Sequence, residues 1–286
     1  MASYILYTYQ FAPIMEDGMN LFYSMPDASE RMEKKQDYLQ KLLQDSKLKF
    51  KSVRDGVFEH QIRYNSNGII ILKIANNKHL NLEENFKKKK HNYSPSCFVI
   101  IDNRKDIQHI AIEEDPTAFS TTDVVRNIIE YSLRKSLKSY GLTISIKKEY
   151  QKTEFWQLIE QYPKGVSMVR FRFSYPNLPR VSESINTLIS NQSKITNSKE
   201  TTFELKSSDT EQLSLSNDNV QLNGLVDASA KSGNVIILKM KGYRKHIKTG
   251  ETSKKLEIED LEMQMQDNDL FQTRFEKIVE LLNAEK

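Results

Sequence analysis

The stretch from residue 96 to residue 148 constrains the fold more than any other part of the chain. Ser96–Asp102 reads SCFVIID, a short apolar run typical of a buried strand, and residues 106–113 are predicted to return as its hairpin partner. The segment STTD at 120–123 resembles a capping box, and the apolar residues after it recur at helical spacing. Those apolar residues are Val125, Ile128, Ile129, Leu133 and Leu137. Gly141 predicts the end of this helix and Leu142–Lys148 a further strand, so the segment indicates a mixed α+β protein.

The N-terminal part of the chain favours the same fold class. Residues 3–11 are aromatic and β-branched and predict a strand, and the spacing of apolar residues predicts a helix from about Ser29 to Asp45. Turn signals at Asp55-Gly56 and at residues 65–68 predict strands on either side of them. Residues 76–95 are polar and basic, and a short helix is predicted near Glu83–Lys90.

The chain from Val166 onward has a regular order of elements. The predicted elements are a strand Val166–Ser174, a helix Val181–Asn191, a strand Thr201–Lys206, a strand Gln212–Leu215, a helix Asp218–Lys231 and a strand Asn234–Met240. This β-α-β-β-α-β order is the ferredoxin-like, or split βαβ, arrangement. A basic hairpin at about 241–260, turning at Thr249-Gly250, and a C-terminal amphipathic helix are predicted to follow.

The predicted fold class is therefore α+β, with mixed or antiparallel sheets and a ferredoxin-like C-terminal half. We expect two domains. Residues 1–165 form an N-terminal α+β domain, and residues 166–286 form the ferredoxin-like domain with the basic hairpin and the C-terminal helix.

Composition excludes several classes of protein. A single cysteine in 286 residues excludes an internal disulfide framework and a Cys-rich zinc site. No apolar run approaches the roughly 18 residues that a transmembrane helix needs, and the first residues do not resemble a secretory signal, so we expect a cytoplasmic protein without membrane contact. The chain has no Gly-rich phosphate loop, GxSxG, HExxH or paired-Cys motif. The sequence accordingly predicts no cofactor and no metal, and it favours a protein without catalytic activity.

Charge is distributed unevenly along the chain. The formal net charge is only +4, but residues 87–91 read KKKKH and residues 239–255 read KMKGYRKHIKTGETSKK. Adjacent ammonium groups bind phosphates and release counterions, so these segments indicate DNA or RNA binding. The alternatives are a solvated loop for the first segment and an edge hairpin protected by lysines for the second. Phe86 and Tyr93 flank the first segment, where an aromatic ring can stack on an unpaired base.

A third basic feature lies in the strand VSMVRFRFS at 166–174. Alternation places Val169, Phe171 and Phe173 on one face and the two arginines, Arg170 and Arg172, on the other. These arginines either face nucleic acid across an open sheet or form salt bridges. The full set of predicted nucleic-acid contacts is Lys87, Lys88, Lys89, Lys90, Arg170, Arg172, Lys239, Lys241, Tyr243, Arg244, Lys245, Lys248, Lys254 and Lys255.

Two other functions remain open from the sequence. Asp102 and Glu113 end successive predicted strands, and carboxylates that converge on Mg²⁺ are typical of metal-dependent nucleases; the simpler explanation is that strand ends collect acidic residues. The C-terminal helix has an apolar stripe that could dock on a protein partner in a scaffold subunit. The residues of that stripe are Phe271, Phe275, Ile278 and Leu282.

The segment from about 96 to 240 also has a familiar outline. It contains SCFVIID, IAIEED, a capped helix, YGLTISI and VRFRFSYPNLPRVSESI, with Tyr175-Pro176-Asn177 as the most specific element. This half of the chain resembles an uncharacterised family of bacterial proteins of similar length that are carried on mobile elements and occur near phage-defence genes. The resemblance implies a bacterial cytosolic setting and a defence role. It implies no enzyme activity and transfers no site residues.

Overall fold

The structure is a computed structural model that describes residues 1–14, 27–105, 107–162, 164–174, 198, 200–208, 210–259, 261 and 275–282. Its strands are β1 (Ala2–Pro13), β2 (Phe50–Lys51), β3 (Val57–Phe58), β4 (His60–Ser66), β5 (Ile69–Ala75), β6 (Lys78–Glu84), β7 (Lys87–Tyr93), β8 (Ser96–Asp102), β9 (His109–Glu113), β10 (Leu142–Lys148), β11 (Val166–Ser174), β12 (Glu200–Lys206), β13 (Ile237–Met240), β14 (Ile247–Lys248) and β15 (Lys255–Ile258). Its α-helices are α1 (Ala28–Glu33), α2 (Lys35–Gln44), α3 (Thr122–Leu137), α4 (Thr153–Gln161), α5 (Val220–Lys231) and α6 (275–282).

The chain divides into two compact units. Unit 1 comprises Met1–Ile5, Pro13–Ile146 and Lys255–Lys286, and unit 2 comprises Leu6–Ala12 and Lys147–Lys254. The division is discontinuous: β1 contributes residues to both units, and β15 belongs to unit 1. The domain boundary near residue 165 stays a prediction.

Unit 1 is organised by a seven-stranded sheet with the order β10-β1-β9-β8-β5-β4, in which β15 also pairs with β1. The pairings β4–β5, β5–β8, β8–β9 and β1–β15 are all antiparallel. Helix α3 buries the five apolar residues that its spacing predicted, from Val125 to Leu137. Its N-cap residue is Thr121, one residue after Ser120, where the predicted capping box begins, and the Thr121 side chain makes no capping hydrogen bond. Gly141 has a φ of 65°, which confirms the left-handed stop.

Unit 2 contains a four-stranded sheet with the order β12-β11-β13-β14, and all three pairings are antiparallel. The apolar face of β11, with Val169, Phe171 and Phe173 fully buried, packs into a core with α4 and α5. Helix α5 begins after Asn219, whose side chain accepts a hydrogen bond from the backbone N–H of Leu222. The alternation of VSMVRFRFS therefore identified the buried face correctly.

The structure is a mixed α+β fold with antiparallel sheets, as predicted, but the ferredoxin-like order is not confirmed. Gln212–Leu215, predicted as a strand, has no regular secondary structure. Its short alternation of polar and apolar residues is a weak strand signal, and the backbone hydrogen bond from Leu213 to Val166 of β11, at 2.8 Å, does not extend into a ladder. The predicted helix Val181–Asn191 and the Tyr175-Pro176-Asn177 turn lie outside the described residues. Among the described helices, none has the length and apolar character required to cross a bilayer.

Candidate nucleic-acid interface

Strands β5 and β8 continue beyond the seven-stranded sheet as β6 and β7. The two pairings share one register. Ile69 faces Asp102 in the first pairing and Glu84 faces Lys87 in the second, and the two residue numbers add up to the same value in each case. The backbone N–H of Asn76 donates to the carbonyl of Pro95 at 2.8 Å between the two pairs. A single antiparallel ribbon therefore runs outward from the sheet in one register. We call β5 and β8 the inner ribbon and residues 78–93 the hairpin arm.

The two parts of this ribbon have opposite environments. Six of the seven residues of β8 are buried, whereas all seven residues of β7 are exposed. At the usual rise per residue, seven residues extend about 24 Å. The hairpin arm is thus a two-stranded projection of about that length, and within the described part of the chain its strands pair only with each other.

The tip of the hairpin arm is a two-residue turn formed by Asn85 and Phe86. Both have left-handed backbone conformations, with φ of 53° and 64°, as a type I′ turn requires. The helix predicted near Glu83–Lys90 is therefore wrong. The polar and charged residues here disfavour a strand only weakly. The strand pairing that continues from the inner ribbon therefore determines their conformation.

The side chains of the hairpin arm alternate between two faces. One face carries Leu80, Leu82, Lys87, Lys89, His91 and Tyr93. The other face carries His79, Asn81, Glu83, Lys88, Lys90 and Asn92. The four consecutive lysines are exposed, and five lysines against two glutamates give residues 78–93 a formal net charge of +3. Leu80, Leu82 and Tyr93 remain 46%, 42% and 40% exposed, so the first face is both basic and apolar.

The base of the hairpin arm is fixed to its own unit by hydrogen bonds. The ammonium group of Lys78 donates to the carbonyl of Thr117 at 2.6 Å, and the side-chain amide of Asn76 donates to the carbonyl of Ala118 at 2.8 Å. The Ser94 hydroxyl donates to the side-chain oxygen of Asn77 at 2.9 Å. These contacts hold the direction in which the arm projects from unit 1.

The second basic segment belongs to unit 2. Strands β13 and β14 pair, and residues 241–246 connect them. Tyr243 is half exposed and its ring packs edge-on against Tyr162, with 5.0 Å between ring centroids. The exposed cationic residues of this segment are Lys239, Arg244, Lys245 and Lys248, and Lys241 is half-buried.

The predicted turn of the basic hairpin at Thr249-Gly250 is wrong. The chain instead turns between β13 and β14, and the Thr249 hydroxyl is buried where it accepts the backbone N–H of Ile236 at 2.9 Å. The buried carboxylate of Glu154 accepts the backbone N–H groups of Gly250, Glu251 and Thr252 at 3.0, 3.1 and 3.1 Å. Gly250 has a φ of 106°, a backbone conformation that favours glycine. This conformation accounts for the glycine although the chain forms no hairpin turn at that position.

The last two predicted contacts, Lys254 and Lys255, lie outside the connection between β13 and β14. The backbone N–H of Lys254 donates to the carbonyl of Glu149 at 3.0 Å within unit 2. Lys255 begins β15 in unit 1, and its ammonium group lies 2.7 Å from the Glu114 carboxylate. An acidic neighbour thus offsets the charge of Lys255.

Arg170 and Arg172 form cross-strand ion pairs. Arg170 donates to Glu204, which lies directly opposite on β12, and Arg172 lies 3.9 Å from Glu200. Hydrogen bonds from Lys206 and then from Arg170 lower the pKa of Glu204. This arrangement favours the salt-bridge interpretation of the two arginines, and their role in nucleic-acid binding stays a prediction.

The two carboxylates of the nuclease hypothesis do not meet. Strands β8 and β9 are antiparallel, with Asp102 opposite His109 at one end and Val99 opposite Ile112 near the other. Glu113 therefore lies about four residues, or roughly 13 Å, along the ribbon from Asp102. Asp102 is fully buried and held by the Arg104 guanidinium at 2.6 and 2.9 Å, which raises the pKa of Arg104, and Glu113 accepts the backbone N–H of Phe98 at 2.8 Å.

This separation means that Asp102 and Glu113 cannot share one metal ion, because ligands of Mg²⁺ lie within about 2.1 Å of it. Among the residues that the structure describes, no group of three or more His, Cys, Asp and Glu side chains is arranged to hold a metal. The nuclease alternative based on this pair is therefore wrong in its geometry.

The apolar stripe of the C-terminal helix packs inside the chain. Ile278 and Leu282 are only 2% and 1% exposed, and the ring of Phe275 lies 4.4 Å from that of Tyr64 between centroids. Phe271 lies outside the described residues. The described part of the stripe is core, so it does not offer a free surface to a partner.

Sequence reasoning missed the apolar side chains of the hairpin arm. Leu80 and Leu82 alternate with polar residues in HLNLE, which is a recognisable strand signal, but the neighbouring lysines concealed it. Comparisons with known proteins add no assignment: no protein-family model matches the chain, and no curated protein matches its sequence.

Proposed function

We propose that this chain is a non-catalytic nucleic-acid-binding subunit whose hairpin arm binds the phosphate backbone. The observation that supports this function best is the complete exposure of β7, with its four consecutive lysines, on a ribbon that projects from the sheet. Such a ribbon offers cations on both faces, because adjacent residues of a strand point in opposite directions. Two-stranded ribbons of this kind fit against nucleic acid, and phosphate contacts supply most of the affinity without reading the sequence.

The basic segment of unit 2 is the second phosphate contact in this proposal. Lys239, Arg244, Lys245 and Lys248 are exposed there. Arginine and lysine side chains on a short connection bind phosphates with little demand on base identity. Each segment contributes its own share of the affinity, so the two can be measured separately.

The resemblance described above suggests a setting for this activity. We propose that the protein acts as a DNA- or RNA-binding or sensor subunit in the cytoplasm of a bacterium, within a defence or mobile-element system. The proposal contains no catalytic step and requires no cofactor.

A salt series on the full chain tests the proposal. Binding to labelled DNA and RNA is expected at about 50 mM salt, and the logarithm of the affinity should fall linearly with the logarithm of salt concentration. The charge-reversal variant Lys88→Glu/Lys90→Glu should weaken binding to all sequences and lower the magnitude of the slope by about 2, because two phosphate contacts are lost. Filter binding or a gel-shift titration measures both quantities.

A matched control uses two exposed lysines in the same unit, Lys41→Glu/Lys47→Glu. Gln40 of helix α2 hydrogen-bonds to Asn65. Asn65 lies beside one end of the inner ribbon, and the arm projects from the other end. The control makes the same change in net charge and should leave the slope unchanged. Absence of binding at low salt, or an affinity that salt does not change, would contradict the proposed function.

A further inference from the structure

Phe86 occupies a backbone position that its side chain disfavours. Its φ of 64° is in the left-handed region, where a bulky residue is rare and where type I′ turns select glycine. Its neighbour in the turn, Asn85, is a residue that tolerates this conformation well. A glycine at position 86 would form the same turn without the steric conflict, so the turn itself does not explain the phenylalanine.

Packing does not explain Phe86 either. The side chain is 97% exposed, the highest value among the large apolar residues of the described chain. By contrast, Phe119 and Phe155 are 4% and 0% exposed. A strained and fully exposed aromatic ring at the tip of a basic ribbon is costly for folding, and strain of this kind is found where function requires it.

We propose that Phe86 stacks on an unpaired base, and that the ligand of the hairpin arm is single-stranded nucleic acid. This inference rests on the proposed function and names its ligand class. Every base has a flat π surface, so one exposed ring engages any sequence, while the lysines behind it hold the backbone. Lys90 lies directly opposite an uncharged residue, Asn81.

The charges near the tip favour a single strand over a duplex or a lipid bilayer. The register places an acidic residue, Glu83, opposite a basic one, Lys88, close to Phe86. A tip that entered a duplex groove would meet phosphates on both sides and would be expected to carry net positive charge. A tip that entered hydrocarbon would have to bury these charges, whereas stacking on a base leaves them in water.

The test compares Phe86 variants of the full chain on a single-stranded oligonucleotide that contains 2-aminopurine and on the duplex of the same sequence. Phe86→Gly keeps the turn, Phe86→Leu keeps apolar bulk without a π surface, and Phe86→Trp keeps stacking. We expect Phe86→Gly and Phe86→Leu to bind the single strand about tenfold more weakly, and Phe86→Trp to match the parent chain. Stacking should quench the 2-aminopurine fluorescence in the parent and Trp proteins only.

Four measurements make the outcomes distinct. The control Val53→Ala, at an apolar residue that is 74% exposed in the same unit, should bind like the parent. Duplex affinity should change by less than about twofold in every Phe86 variant, and the salt slope on the single strand should stay the same, because phosphate contacts are untouched. Vesicles of phosphatidylserine and phosphatidylcholine should bind parent and Phe86→Gly equally.

Salt-dependent binding that Phe86→Gly leaves unchanged would overturn this inference and keep the proposed function. No salt-dependent binding by the parent chain would overturn both. A Phe86→Gly defect seen on vesicles but not on the single strand would assign the tip to lipid instead, and a defect equal on single strand and duplex would remove the single-strand assignment.

Discussion

The inner ribbon and the hairpin arm are two lengths of the same pair of strands, yet one is core and the other is surface. Their backbone pairing is the same, and the partner register does not change between them. The difference lies in the side chains: Ile69–Ala75 reads IIILKIA, whereas Lys87–Tyr93 reads KKKKHNY. Backbone hydrogen bonds therefore set the shape of the ribbon, and apolar side chains decide how much of it the sheet covers.

The comparison also shows how an exposed hairpin can be ordered. An isolated two-stranded hairpin is marginally stable in water. Among the described residues the hairpin arm forms a two-stranded sheet of its own, and it extends a ribbon whose inner strands lie in the interior of a seven-stranded sheet. The inner ribbon therefore supplies the register, and the arm supplies a surface that contributes little to folding.

The largest contrast between the two regions should appear in thiol reactivity. Cys97, on β8, is 1% exposed, and burial raises its pKa to about 12. A cysteine placed on the arm by Lys90→Cys should have an ordinary pKa, so at about pH 8 it should react with iodoacetamide at least about a thousandfold faster than Cys97. Peptide mapping by mass spectrometry separates the two sites. Similar rates would show that the inner ribbon opens as readily as the arm.

The next largest contrast concerns folding stability. Ile100, on β8, is fully buried, so Ile100→Ala should lower the free energy of unfolding by about 3 kcal/mol. Leu82, on the arm, is 42% exposed, and Leu82→Ala should cost less than about 0.5 kcal/mol. Urea titrations of both variants measure the difference. A large loss from Leu82→Ala would mean that the arm packs against the rest of the chain.

Removing the arm should separate binding from folding. Because the register is continuous, Asn-Gly can replace residues 78–93 and join Asn77 to Ser94 in a two-residue turn. The free energy of unfolding should change by about 1 kcal/mol or less, while affinity for nucleic acid at low salt falls at least about tenfold. Circular dichroism and a binding titration measure the two effects. Unchanged affinity in a folded protein would remove the arm from the interface.

The smallest effect concerns the strained tip. Phe86→Gly should relieve the left-handed conformation, but the greater freedom of glycine in the unfolded chain offsets part of the gain. We expect the arm to be more stable by about 0.5 kcal/mol, which slows hydrogen exchange of its backbone amides about twofold. Global stability should not change measurably. Faster exchange in the arm would show that the Phe86 ring stabilises the folded tip.

Phe86 also explains why the hairpin arm could not be predicted from the sequence, whereas the inner ribbon could. Apolar runs such as SCFVIID identify buried strands from sequence alone. The turn at Asn85-Phe86 lacks the Asn-Gly or Asp-Gly signal by which type I′ turns are recognised. Without a visible turn, the lysines after it were assigned to a helix. A bulky residue at a position where type I′ turns usually carry glycine thus conceals the local structure.

Two other errors have different physical causes. Thr249 and Gly250 are residue types typical of turns. The backbone at Gly250 instead donates a hydrogen bond to the buried carboxylate of Glu154, which is distant in sequence. Such a tertiary role has no local signal. The separation of Asp102 and Glu113 could have been derived, because consecutive strands of a hairpin run in opposite directions and their C-terminal ends lie apart. The core of β11 and of α3, by contrast, followed directly from periodicity.

The Glu154 carboxylate has a consequence for anion recognition in unit 2. Three successive amides converge on it, an arrangement that elsewhere forms a cradle for phosphate. Here the protein fills that cradle with a negative group of its own. Any polyanion that reaches unit 2 must then be held by flexible lysine and arginine side chains, which tolerate many backbone shapes and impose none.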